Sequence, residues 1–165
     1  MKHLILIGLP GSGKTTAGRA LANALQLPFS DCDEAVENDA HMTIPEIFRR
    51  EGELGFRARE TAALRRLTSL PGRVIACGGG VVTVPENHDI LRPGFVIFWH
   101  RTPDDIMSTC GLTGRPLLET TTLARLYEQR LPLYRAWADA TVDGRDFEAA
   151  VAQTAALWRE KTCAF

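Results

Sequence analysis

Leu4-Ile5-Leu6-Ile7-Gly8-Leu9-Pro10-Gly11-Ser12-Gly13-Lys14-Thr15-Thr16 is the stretch on which the reading of this chain turns. Four consecutive apolar residues predict a strand buried on both faces. Gly8 to Thr15 match G-x-x-x-x-G-K-[ST]. Lys14–Leu25 then carries Ala17, Ala20, Leu21 and Leu25 at helical spacing. In a strand–turn–helix of this kind, glycines let backbone N–H groups curl inward around phosphate oxygens. The positive end of the helix dipole adds to them. Gly11, Ser12, Gly13, Lys14, Thr15 and Thr16 are therefore the expected phosphate-binding residues for a nucleoside triphosphate. Lys14 supplies a point charge for the β- and γ-phosphates, and Thr15 a hydroxyl for Mg²⁺. The loop identifies the phosphate donor and leaves the acceptor open.

Outward from this loop, apolar runs alternate with helical patterns. Val74–Cys77 and Phe95–Trp99 read as buried strands, Leu27–Asp31 as a shorter one and Ala140–Val142 as a weaker one. Ile44–Leu70, Leu123–Ala138 and Phe147–Trp158 read as helical, with Pro45 suited to a first turn. The alternation predicts an α/β fold, a five-stranded parallel sheet with helix layers on both faces. The stretches 83–93 and 108–122 show no clear pattern, and the second, containing Gly111, Gly114 and Pro116, is long enough to suggest a functional loop.

The 165 residues suit one domain, and no internal repeat divides them. A net charge of −1 argues against nucleic acid or anionic lipid as a partner. Lysine occurs only at positions 2, 14 and 161, so almost all cationic side chains are arginines, and a single arginine carries little information. Cys32, Cys77, Cys110 and Cys163 lack metal-ligand spacing and read as reduced thiols. With no apolar run long enough to span a membrane and no secretory pattern before Gly8, the expected location is the cytoplasm. No long apolar helix face is left over, which points to a monomer.

Asp31-Cys32-Asp33 follows the second strand candidate. In extended chain, residues two apart project to the same side, so both carboxylates are expected at the cleft beyond the strand ends. There they suit Mg²⁺ coordination, hydroxyl recognition or proton abstraction. Alternatively, Asp33 is simply the cap of a helix starting at Glu34.

The order of motifs resembles the shikimate kinase family. After the phosphate loop comes Phe29-Ser30-Asp31-Cys32-Asp33. Ile44-Pro45-Glu46-Ile47-Phe48 and Gly52-Glu53-Leu54-Gly55-Phe56-Arg57-Ala58-Arg59-Glu60 are similar to its I-x-E-I-F and G-E-x-x-F-R-x-x-E elements. Val74–Gly80 resembles its strand ending in three glycines, Gly114-Arg115-Pro116-Leu117-Leu118 its lid, and Arg130-Leu131-Pro132-Leu133-Tyr134 its R-x-P-x-Y. The resemblance implies a P-loop NTPase fold of the nucleoside-monophosphate-kinase type, with an acceptor-binding helical segment at about 34–70 and a lid at about 108–122. It implies transfer of the γ-phosphate of ATP to the 3-hydroxyl of shikimate, with Mg²⁺ as cofactor. Arg57 and Arg130 would bind the shikimate carboxylate, a task for which a planar guanidinium is suited. Asp33 would bind the hydroxyl and serve as candidate base, and Asp31 would associate with Mg²⁺ alongside Thr15. Gly78, Gly79 and Gly80 would line the acceptor site, Gly79 and Gly80 offering unblocked N–H groups. Arg115 would close over the phosphates, and Glu60 would fix the rotamer of Arg57. Phe48 and Phe56 are expected to pack along the acceptor pocket.

The pattern departs from the family at the nucleotide side. Ile106–Gly111 lacks the usual adenine-stacking arginine, the segment from Leu118 to Arg130 is shorter, and Phe98-Trp99-His100 stands where a leucine and a small or acidic residue are usual. These departures bear on adenine affinity. The competing readings are another small-molecule kinase, such as a gluconokinase, and a non-catalytic nucleotide-binding module.

Overall fold

His3–Ile7 (β1) is buried at every position, because both of its faces are covered. Arg73–Ala76 (β3) pairs with it on one side and Phe95–His100 (β4) on the other, all parallel. Phe29–Asp31 (β2) and Ala140–Asp143 (β5) close the edges, giving the order β2-β3-β1-β4-β5. The computed structural model describes residues 3–109 and 120–163. Most of the expected lid at 108–122, including Arg115, lies outside these residues.

Alternation along the strands sorts the side chains into two cores. Leu4, Leu6, Val74, Ile97, Trp99 and Val142 face Lys14–Leu25 (α1) and Phe147–Cys163 (α7), through Ala17, Leu21, Ala150 and Trp158. Ile5, Ile7, Ile75, Val96 and Phe98 face the other way. They meet Cys32–Ala40 (α2), Ile44–Ser69 (α3), Pro85–Leu91 (α4), Pro103–Thr109 (α5) and Thr120–Trp137 (α6), through Val36, Leu64, Leu91, Ile106 and Tyr134. The expected three layers and parallel five-stranded sheet are present.

Three local features position the site. The Asp31 carboxylate accepts hydrogen bonds from the N–H groups of Asp33 (2.9 Å) and Glu34 (3.2 Å) and so caps α2. The cap is thus Asp31, not Asp33, and Asp33 sits in the first helical turn rather than in extended chain. α3 opens on a reciprocal capping box between Thr43 and Glu46. It then kinks at Gly52, whose φ of 70° favours glycine. Beyond the kink, Phe56, Arg57 and Glu60 turn toward the cleft. The stretch 83–93, read as patternless, holds the short helix α4, and α5 ends just inside the stretch 108–122, in a segment to which the sequence reading assigned no element.

Candidate active site

The phosphate loop runs from Gly8 to Thr15 between β1 and α1. With Thr16, Asp31, Asp33, Cys77, Gly78 and Gly79 it encloses a cavity of about 310 Å³. Lys14 is only 7% exposed. Its Nζ donates to the carbonyls of Gly8 (2.8 Å) and Leu9 (2.7 Å), which holds it across the loop. Burial pushes the Lys14 ammonium down to about 8, opposed chiefly by the Asp33 carboxylate. Gly11, Gly13, Thr15 and Thr16 line the cavity beside it. Ser12 does not: its N–H is engaged with the Leu9 carbonyl at 3.3 Å, and its own carbonyl accepts the Trp99 indole N–H.

The Thr15 hydroxyl donates to Asp31 Oδ2 at 2.6 Å on the cavity wall. Two adjacent hard oxygen donors fit a Mg²⁺ ion that keeps several waters and takes its remaining ligands from phosphate. Among the described residues, no cluster of three or more His, Cys, Asp or Glu side chains could hold a metal ion alone. The chemistry of the donor set therefore suits an ion that arrives with a nucleotide.

A second cavity, of about 220 Å³, lies on the far side of Asp33. Ile44, Phe48, Phe56, Arg57, Glu60, Gly80, Leu126 and Arg130 line it, together with Pro10, and Asp33, Gly78 and Gly79 border both cavities. Arg57 Nη1 donates to Glu60 Oε1 at 2.9 Å, one helical turn along α3. Glu60 is fully buried. Burial raises its pKa despite the opposing Arg57 charge. The guanidinium also rests 5.1 Å from the Phe56 ring centre, and Phe56 packs on Phe48 at 4.8 Å. Arg130 lies on α6, opposite Arg57, so the two guanidinium groups reach the cavity from different helices.

The three glycines make room for these groups. A Cβ on Gly78 would come within 2.8 Å of Asp33 Oδ1 and 2.9 Å of Glu60 Oε2. On Gly79 it would press into the Pro10 ring at 2.5 Å, and on Gly80 it would overlap the Arg57 guanidinium at 2.1 Å. The Gly79 carbonyl accepts the Tyr134 hydroxyl, which ties the glycine turn to α6. Asp33 Oδ1 is buried and unpartnered, as are Glu60 Oε2 and Arg57 Nε. Burial, reinforced by Asp31, raises the Asp33 pKa, while Lys14 and Arg57 oppose the shift.

The structure thus gathers Lys14, Thr15, Asp31, Asp33, Arg57, Gly78–Gly80 and Arg130 around two adjoining cavities. Sequence reasoning missed Tyr134 and Pro10 as supports of the glycine turn. Arg101 donates to the Asp105 carbonyl (2.6 Å) and to Thr109 Oγ1 (3.0 Å), where it secures the C-terminal turn of α5.

The family model described as shikimate kinase matches residues 10–158. A shikimate kinase from Thiobacillus denitrificans is 46% identical over 147 residues, covering 86% of this chain and 80% of that protein. The structure of shikimate kinase from Acinetobacter baumannii in complex with shikimate superimposes with a TM-score of 0.85 at 36% identity, over 99% of this chain and 94% of that one. Shikimate kinase from Aquifex aeolicus gives a TM-score of 0.84 at 31% identity, over 98% of each chain. A gluconokinase from Sinorhizobium meliloti, at 16% identity and a TM-score of 0.59 over 98% of this chain and 95% of that one, shares the fold alone. Two cavities meeting at Asp33, with a phosphate loop in one and paired arginines in the other, accompany these likenesses, and the chain belongs to the shikimate kinase family.

Proposed function

We propose that this protein transfers the γ-phosphoryl group of ATP to the 3-hydroxyl of shikimate, giving shikimate 3-phosphate and ADP. The observation that carries the proposal is the shared border: Asp33, Gly78 and Gly79 line both the phosphate cavity and the arginine-lined cavity. An acceptor carboxylate gripped by Arg57 and Arg130 leaves the hydroxyl-bearing side of the ring at Asp33. A terminal phosphate held by Lys14 and the amides of the loop meets it there. The hydroxyl proton passes to Asp33, a P–O bond forms to the acceptor oxygen, and the bond to the ADP oxygen breaks. Most of the catalysis is positioning and neutralisation of charge. Thr15 and Asp31 would hold Mg²⁺, which when bound neutralises phosphate charge. Arg115, on a lid spanning about 108–122, would add charge over the phosphates and exclude water.

The whole chain acts as one kinase domain, with the acceptor side built on residues 34–70. A cytoplasmic monomer is the expected form, with no nucleic acid or membrane as partner. The large apolar side chains exposed among the described residues are Phe48, at the acceptor cavity, and Leu54 and Leu133 on separate helices. No described helix is long and apolar enough to cross a membrane. The test is ADP release from ATP in the presence of shikimate, gluconate or no acceptor. Release with shikimate alone is the expected result, and release with gluconate alone would overturn the proposal.

Gly80→Ala tests the acceptor cavity. Gly80 has an ordinary backbone (φ −95°, ψ 6°), so alanine is tolerated there by the chain. The clash is with the far end of Arg57, which must move. The expected result is a KM for shikimate raised about tenfold or more, the worth of one charge-assisted hydrogen bond, with the KM for ATP nearly unchanged and a melting temperature lowered by less than in Arg57→Ala, because the displaced guanidinium still balances Glu60.

The lowered Lys14 pKa of about 8 has a measurable sign. A bound triphosphate favours the ammonium and raises that value. Above pH 8, ATP must therefore bind with uptake of a proton, and its affinity falls with rising pH by up to about tenfold per unit. Calorimetric titration at pH 8.5 in two buffers of different ionisation heat detects the uptake. Well below pH 8 this contribution disappears.

A further inference from the structure

We infer that Trp99 is a positioning residue for phosphate binding: its indole N–H holds the Ser12 peptide so that the Gly13 N–H faces the triphosphate. This inference rests on the phosphate-loop reading above and assigns a part of that site to a residue outside the loop.

Trp99 is 1% exposed, near the end of β4 and behind the loop as seen from the cavity. Its Nε1–H donates to the Ser12 carbonyl at 3.1 Å, a buried contact across 87 residues of sequence. Ser12 and Gly13 share that peptide unit, and the described residues contain no cis peptide bond. In a trans peptide the C=O and N–H vectors are opposed. Fixing the Ser12 carbonyl toward Trp99 therefore fixes the Gly13 N–H toward the opposite side, and Gly13 lines the phosphate cavity. Without a partner on that carbonyl, the peptide is free to rotate. Gly13, at φ 92°, is a residue type with unusual freedom to follow.

The indole is itself located. A Cβ on Gly144 would lie 2.5 Å from Trp99 Nε1, so the turn after β5 passes directly over the ring. Phe147 at the start of α7 meets the ring edge-on at 6.3 Å. The Trp99 backbone carbonyl also touches the first loop glycine, since a Cβ on Gly8 would come within 2.6 Å of it. One residue thus contacts the loop near both of its ends. Lys14 does not serve this purpose, because its ammonium engages the Gly8 and Leu9 carbonyls and reaches Ser12 only at the hydroxyl, at 3.4 Å.

The test is Trp99→Phe, which keeps an aromatic ring against Phe147 and removes the donor. The expected result is a KM for ATP and a Kd for ADP raised about tenfold, the scale of one buried hydrogen bond with its orphaned acceptor. The KM for shikimate should stay within twofold. Equal losses in both substrates, or an unchanged Kd for ADP in the folded variant, would overturn the inference. A second measurement does not depend on that variant folding. In protein carrying Trp137→Phe and Trp158→Phe, Trp99 is the remaining indole, and its N–H proton resonance should shift on adding inorganic tripolyphosphate but not shikimate. A resonance unmoved by tripolyphosphate, although calorimetry shows that it binds, overturns the inference. If the unsubstituted protein binds neither tripolyphosphate nor ATP, the phosphate-loop reading fails first.

Discussion

Arg57→Ala is expected to raise the KM for shikimate about a hundredfold or more while leaving the KM for ATP close to its original value. Arg57 is the mostly buried cation of the acceptor cavity, and its guanidinium is held by Glu60 at 2.9 Å, by Glu53 at 3.5 Å and against Phe56. A desolvated, geometrically fixed guanidinium is worth more to a carboxylate than a mobile one, because little ordering is required when the ligand arrives. Removing it deletes the charge-assisted bonds and also strands the Glu60 carboxylate, which is fully buried. Leaving one member of a buried pair costs about 3–5 kcal/mol when the charge persists. The Glu60 pKa is already raised by burial, so Glu60 can take up a proton and the loss of stability should fall below that range. The double variant Arg57→Ala with Glu60→Gln separates the two effects. It should recover melting temperature without recovering the KM for shikimate. Recovery of both would mean that Arg57 supports the fold and not the ligand.

Asp33→Asn is expected to lower kcat by about a hundred- to ten-thousandfold, the range for loss of a general base. The amide is nearly isosteric and can still hydrogen-bond a hydroxyl, so the KM for shikimate should change much less than kcat. Asp33 stands where the two cavities join, with Oδ1 buried and unpartnered. Its pKa is raised by burial and by Asp31, against the pull of Lys14 and Arg57. A base must be deprotonated to act. Activity should therefore fall as pH drops through a value above the ordinary aspartate range, and that acidic limb should be absent from the residual activity of the asparagine variant. A variant retaining full kcat would show that Asp33 only borders the site.

Much of this arrangement was legible in the sequence because it depends on short-range spacing. The phosphate loop is contiguous, and its residue types are dictated by curled backbone and a single ammonium. The Arg57–Glu60 pair follows from three-residue spacing on a helix. What was not legible depends on contacts between distant segments. Gly79 and Gly80 were expected to offer N–H groups; that the turn 78–80 also leaves room for Asp33, Glu60, Pro10 and Arg57, brought from α2, α3 and the loop, is a contact between distant segments. Asp31 could not be identified as the cap of α2 until the end of β2 was fixed.

The short helices failed for a different reason. α4 spans seven residues and opens at Pro85, too brief for an apolar stripe to repeat, and its buried Asn87 bonds the Val81 carbonyl and Thr61. α5 did carry a signal. Thr102 and Asp105 form the T-x-x-D cap, with Asp105 Oδ2 accepting the Thr102 N–H at 3.1 Å and Thr102 Oγ1 accepting the Asp105 N–H at 3.2 Å. Trp99 was legible as the end of a buried strand and as a departure from the family pattern, but not as a support of the phosphate loop. Its contact with Ser12 joins β4 to a loop 87 positions earlier, which no local pattern encodes.

The most direct test of the two-cavity account is the position of the transferred phosphate. A proton–phosphorus correlation spectrum of the reaction of ATP with shikimate should show ADP and one new phosphate monoester, whose phosphorus couples to the proton assigned to carbon 3 and not to those on carbons 4 or 5. A monoester on another hydroxyl, or inorganic phosphate as the sole new product, would contradict the placement of the acceptor between Arg57 and Asp33.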